Sequence, residues 1–183
     1  AGDESAQLTI TDNDVDVTFA VTVASETVAG DTPNGLAVIA EELSADNTGT
    51  FTIAKGGGAL TGANTASVVI TVSGSGEDGD FTLADGTPAD YSAIVAAVAA
   101  AANAALGAGS AVIAGDTVTV TWGAGDPASF NVDLTAVDDD LLDSPENIVL
   151  TLGTPLVSEG SATLVAGDES AQLTITDNDV DVT

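Results

Sequence analysis

The sequence predicts an all-β chain, an antiparallel sandwich carrying one inserted helix. Three observations predict it. Long stretches alternate apolar and polar residues with a period of two, clusters of Gly, Asn, Asp and Pro separate those stretches, and a single Ala-rich segment breaks the alternation. The hydrophobic share of 44% supports a folded core despite a formal net charge of −28.

Residues 7–11 (QLTIT) set Leu8 and Ile10 on one face and Thr9 and Thr11 on the other. Residues 15–23 (VDVTFAVTV) continue with Val15, Val17, Phe19, Val21 and Val23 on a common face. The same reading predicts strands at 49–54, 66–74, 117–122, 129–137, 147–152 and 170–176. Turn formers fill the gaps, as in KGGGALTGANT and GAGDPA. Short strands at this spacing are the pattern of an antiparallel sandwich. Residues 88–109 differ, being rich in Ala, the strongest helix former, and closing on Gly. Ile94, Val95, Val98, Ala102 and Leu106 share one helical face, so one helix near 89–106 is expected, docked by that stripe. Trp122, Tyr91 and the four Phe are expected as core anchors rather than a sugar-binding platform.

Composition narrows the function. Twenty-nine Asp and Glu face a single basic residue, Lys55. Such a field repels phosphate backbones and anionic bilayers, so neither nucleic acid nor membrane is an expected partner. The longest apolar run, at 93–102, is too short to span a bilayer. There is no Cys and no His, which removes disulfides, thiolate sites, the commonest general base and the commonest transition-metal ligand. No nucleophile elbow or phosphate loop accompanies the carboxylates, and the chain is not expected to be an enzyme. There is no Met, so the chain is expected to be a segment of a longer protein.

Residues 1–18 and 166–183 are identical. That duplication predicts a tandem array of near-identical units. Residues 1–14 are then the last strand of a preceding repeat, 15–179 one complete repeat and 180–183 the start of the next.

Four acid clusters rise above the general acidity: Asp138, Asp139, Asp140, Asp143 and Glu146; Asp177, Asn178, Asp179 and Asp181; Asp85 and Asp90; and Glu41 with Glu42. Two unit charges 4 Å apart repel by about 4 kcal/mol at an effective dielectric near 20. Such clusters either splay into water, as on the surfaces of salt-adapted proteins, or hold a cation. Six to eight hard oxygen ligands from several loops are what Ca²⁺ requires, whereas Mg²⁺ keeps more of its water and Zn²⁺ recruits His or Cys. No local calcium loop is present. DNDVDV lacks the Gly and Glu of an EF-hand, and GSGEDGDF is a single echo of a nonapeptide repeat, so a site here would be assembled from distant loops.

Taken together, these motifs resemble the Calx-β family, found in sodium/calcium exchangers, integrin β4 and long bacterial surface proteins. The family's closing TVTITDDD is similar to QLTITDND at 172–179, and its ADGTA…SDY to ADGTPADY at 84–91. Its GTLTFAAGE…TITVPIIDDD…EgdEtF…L is similar to residues 118–152. The match runs from about Glu41 to Asp179 and implies a seven-stranded sandwich of immunoglobulin-like shape with calcium at one end. Carried over residue by residue, it implies as ligands Asp90, Asp138, Asp139, the carbonyl of Leu141, Asp143, Glu146, Asp177, Asn178 and Asp179. The opening Glu is Glu41 or Glu42, with Asp46 a third candidate. Asn178 stands where the family has a carboxylate, Asp143 where it has Glu, and the Ala-rich helix is an insertion. The opening copy's Asp12 and Asp14 lack an acidic loop of their own, so they are expected to hold calcium weakly, or through junction residues such as Asp16.

The resemblance also implies a role. The chain is similar to the extender repeats of giant RTX-type adhesins, secreted to the bacterial cell surface and active in adhesion and biofilm. Its expected partners are neighbouring identical repeats in the same chain, and the unit itself is expected to be monomeric. A ligand-binding adhesive domain recognising a glycan or surface is the alternative. A regulatory calcium sensor, as in the exchangers, is a third reading.

Overall fold

The alternating segments pair edge to edge into two sheets. The computed structural model describes residues 14–25, 36–41, 47–75, 81–83, 88–89, 91–138 and 145–176. The elements are β1 (Val15–Ser25), β2 (Leu36–Ala40), β3 (Thr48–Gly57), β4 (Ala66–Gly74), β5 (Phe81–Leu83), β6 (Pro88–Ala89), α1 (Tyr91–Leu106), β7 (Ala111–Ala114) and β8 (Thr117–Trp122). They continue with β9 (Ser129–Ala136), β10 (Glu146–Leu152), β11 (Leu156–Val157), β12 (Gly160–Leu164) and β13 (Ser170–Thr176). One sheet runs β12-β1-β3-β9-β5-β6, the other β2-β13-β10-β4-β8-β7, with β11 also on β4.

The chain is an all-β sandwich with one helix. Val15, Val17, Phe19, Val21 and Val23 all point into the core, as their two-residue period requires. Phe51 and Ile53 of β3, Val68 and Ile70 of β4, Leu134 of β9, Ile148 and Leu150 of β10 and Leu173 of β13 complete it. Trp122 is fully buried, its ring 5.4 Å from Phe19 and 5.9 Å from Phe130 between centroids. The side chains of Phe81 and Tyr91 lie outside the described residues, as does the strand expected at 7–11.

Two pairings are parallel, where the sequence reading had only antiparallel ones. β12 joins β1 with Val15 opposite Gly160 and Phe19 opposite Leu164. β2 joins β13 with Leu36 opposite Gln172 and Ala40 opposite Thr176. Both partners are short edge strands reached by long connections, which parallel pairing needs. Gly160 takes φ +105, and a Cβ there would collide with the Val15 backbone, so only glycine admits β12 at this spacing. The described residues carry more strands than the seven that the resemblance implies. The short strands β2, β5, β6, β7, β11 and β12 account for the excess.

The helix spans Tyr91–Leu106. Ile94, Val95, Val98, Ala102 and Leu106 are buried, joined by Ala99. That stripe packs on β4, β7 and β8 of one sheet and β9 of the other, so α1 fills the space between the two sheets at one side. Gly107, at φ +104, ends the helix and donates its N–H to the Asn103 carbonyl at 3.1 Å. The Asn103 Oδ1 accepts from the N–H groups of Gly109 (2.9 Å) and Ala111 (3.1 Å), which ties the helix end to β7.

Candidate metal centre

Strand direction sorts the acidic residues between the two ends of the sandwich. β13 runs to Thr176 and then enters Asp177. At that point β2 flanks it on one side, where the Glu41 N–H donates to the Thr176 carbonyl at 3.1 Å and the Thr176 hydroxyl donates to the Ile39 carbonyl at 3.1 Å. β10 flanks it on the other side, Glu146 standing opposite Ile175. Glu41 and Glu146 therefore bracket the exit of β13.

β9 reaches the same end. The Ala136 N–H donates to the Asn47 carbonyl at 2.8 Å, and Val137 and Asp138 follow. β4 arrives there too: Ser75 N–H donates to the Asn147 carbonyl at 2.9 Å, and its hydroxyl accepts from Asn147 N–H at 3.1 Å. This is the acid end. Glu41 is 5% exposed and is the one buried polar or charged residue in the described core, while Asp138 is exposed and Glu146 half-buried. A carboxylate withdrawn from water is costly unless partnered.

Ser25 closes β1 at this end, opposite Gly49. Its hydroxyl oxygen is buried with no hydrogen-bond partner among the described residues. Ser25 continues the two-residue period of Val15 to Val23, which turns its side chain toward the core face. A buried hydroxyl oxygen of this kind is a hard-oxygen donor of the type that calcium takes.

Similarity to known proteins is confined to structures. No protein-family model matches the sequence, and comparison with curated proteins finds no match. The apo-form Calx CBD1 domain superposes with a TM-score of 0.43 at 15% identity, covering 91% of this chain and all of that one. The calcium-binding domain CBD12 of CALX1.1 gives 0.42 at 17% identity, with 89% of this chain covering 44% of that one. The sixth cohesin of Acetivibrio cellulolyticus scaffoldin B gives 0.33 at 8% identity.

Of the ligands that the sequence resemblance implies, Glu41, Asp138 and Glu146 fall among the described residues, and all three come to the acid end. Glu42, Asp90, Asp139, Leu141, Asp143, Asp177, Asn178, Asp179 and Asp12 lie outside them. Among the described residues no three acidic side chains approach closely enough to hold a metal ion. Asp14 goes elsewhere. It precedes Val15 at the opposite end, beyond a strand of 11 residues whose length is on the order of 35 Å.

Not every acid is available. The Asp133 carboxylate accepts from the Thr50 hydroxyl at 2.7 Å across the β3–β9 pair, and Asp16 accepts from Ser161 at 2.6 Å. Asp126 accepts from the Gly123 N–H at 2.7 Å in its own turn. A groove of about 340 Å³ between α1 and β9 is lined by Leu83, four helix alanines and Val132, with Asn131 and Asp133 as its polar groups. Among the described residues no helix is long and apolar enough to cross a membrane.

Proposed function

We propose that the chain is a calcium-binding structural repeat, an extender unit of a long secreted bacterial surface adhesin, with residues 15–179 as the unit. One observation carries this reading: the register of β13 between β2 and β10 sets Glu41 and Glu146 on either side of the entry to Asp177. Asp138 leads into the acidic loop at the same end.

The donor set fits calcium. It consists of carboxylates, the Asn178 amide oxygen and the Leu141 carbonyl, all hard oxygens, with Glu41, Asp138, Asp139, Asp143, Glu146, Asp177 and Asp179 as the charged members. Bound calcium would neutralise charge and join loops that otherwise repel. The protein's own part is positional. The hydrogen bonds of Glu41 and Thr176 clamp the end of β13, so the chain leaves the sandwich from a fixed point. Calcium bridging Asp177–Asp179 to Asp138–Glu146 would therefore also set the angle at which residue 180 starts the next unit. Millimolar affinity, typical of extracellular calcium modules, suffices outside a cell.

Thermal unfolding in CaCl₂, in MgCl₂ and in NaCl of equal ionic strength tests the reading. The comparison matters because any salt relieves the self-repulsion of a chain with net charge −28. Calcium at 10–100 times Kd contributes about 1.4–2.7 kcal/mol. At about 2–4 °C per kcal/mol that is an extra rise of roughly 3–10 °C over NaCl. Asp138→Asn combined with Glu146→Gln should remove most of the extra rise. Equal midpoints in CaCl₂ and NaCl would refute calcium binding. Small-angle scattering from four tandem units then tests the spacer role, since calcium should lengthen and stiffen the array.

A further inference from the structure

The single basic side chain has a definite place. Lys55 lies near the end of β3, opposite Phe19 of β1, at the end of the sandwich remote from Glu41, Asp138 and Glu146. Around it a recess of about 390 Å³ is walled by Gly57, Gly58, Leu60, Gly123 and Asp126. The Lys55 Nζ donates to the Gly58 carbonyl at 3.3 Å, a long contact that leaves two of its three N–H groups for other acceptors. The Asp126 carboxylate is engaged by Gly123, as described above. Small residues on the wall let another chain come close to the backbone.

The chain enters the fold beside this recess. Val15 N–H donates to the Glu159 carbonyl at 3.2 Å, and Gly58 N–H donates to the Asp16 carbonyl at 2.8 Å. Residues 1–18 repeat as 166–183, so Asp14 and Val15 correspond to Asp179 and Val180. In tandem, therefore, the segment leaving the acid end of one unit is the segment that enters beside Lys55 of the next. Three residues, Asp177–Asp179, separate Thr176 from Val180, and such a link spans at most roughly 14 Å. The acid end of each unit must face the Lys55 end of its successor.

We propose that Lys55 and its glycine-walled recess are the docking face for the acid end of the preceding unit, with the ammonium taking a carboxylate of that unit. Charge complementarity supports the pairing: every unit has one cation, and it stands where the preceding unit's acids arrive. The inference rests on the tandem reading above but not on calcium. It makes the junction partly self-sufficient, with an attraction that persists without calcium and weakens in salt.

Zero-length carbodiimide coupling of a two-unit chain, in calcium-free buffer and again in CaCl₂, tests it. Each unit has one lysine, so every Lys55 isopeptide is unambiguous. Within a unit Lys55 and Asp138 or Glu146 lie at opposite ends, so a link between them reports contact between units. The expected yield of Lys55–Asp138 or Lys55–Glu146 links is at least tenfold above that of the single-unit chain at equal concentration, and it falls in 0.5 M NaCl. In scattering, Lys55→Glu in the second unit should broaden the range of inter-unit distances. The same change in the first unit should leave that range unaltered, and both variants should melt as wild type. Absence of inter-unit links while Lys55 couples to acids of its own end overturns the proposal, as does an equal effect of Lys55→Glu in either unit. Loss of every calcium response with these results intact would overturn the calcium reading alone.

Discussion

Replacing Trp122 by phenylalanine separates two contributions that the wild-type ring combines. The indole is fully buried and packs against Phe19 and Phe130, yet among the described residues its Nε1–H has no hydrogen-bond partner. Truncation to alanine removes the ring and both aromatic contacts, which places its cost near the upper end of the usual range, about 5 kcal/mol. At about 2–4 °C per kcal/mol that is a fall of roughly 10–20 °C in melting midpoint. Phenylalanine keeps one ring, losing about 1–2 kcal/mol of transfer energy and cavity. It also removes a buried donor whose desolvation costs about 1–3 kcal/mol. The two nearly cancel, so Trp122→Phe should melt within about 4 °C of wild type. Trp122 is the only tryptophan, so far-UV circular dichroism rather than fluorescence must follow unfolding. A loss above about 3 kcal/mol for Trp122→Phe would refute the reasoning, because it would mean that the indole N–H is satisfied in the native state. Trp122 ends β8 at the lysine end, so the calcium-dependent rise should be the same in Trp122→Phe as in wild type.

Two further substitutions probe how the sheets and the helix are held. A Cβ on Gly49 would lie 2.7 Å from both Cδ atoms of the fully buried Leu173, so Gly49→Ala should cost about 1–3 kcal/mol in urea unfolding. Paired with Leu173→Ala, it should lose at least about 0.5 kcal/mol less than the sum of the singles, and strict additivity would contradict the contact. Asn103→Ala leaves the N–H groups of Gly109 and Ala111 without their acceptor and should cost about 1–2 kcal/mol. Hydrogen exchange should quicken first at residues 107–111, and uniform loss of protection across both sheets would argue against a local role.

The sequence by itself determined the class of the fold and most of its longer elements. Val15 to Val23 alternate strictly, and an alternating strand has only one way to bury its apolar face. The Ala-rich run has no competing strand pattern, so α1 and its buried stripe were legible from Ile94, Val95, Val98, Ala102 and Leu106. The acidic clusters were legible as clusters along the chain, through residue type alone.

Only the tertiary structure decided which of these residues share an end. Residues 36–40 are too short a run to show that they pair in parallel with β13, yet that pairing brings Glu41 beside Thr176. The same is true of β12, whose attachment to β1 depends on the backbone approach that Gly160 permits. The placement of Lys55 at the end opposite the acids leaves no local trace either. A strand's sequence specifies its faces through the two-residue period, but which strand lies beside it, and in which direction, is set by long-range packing.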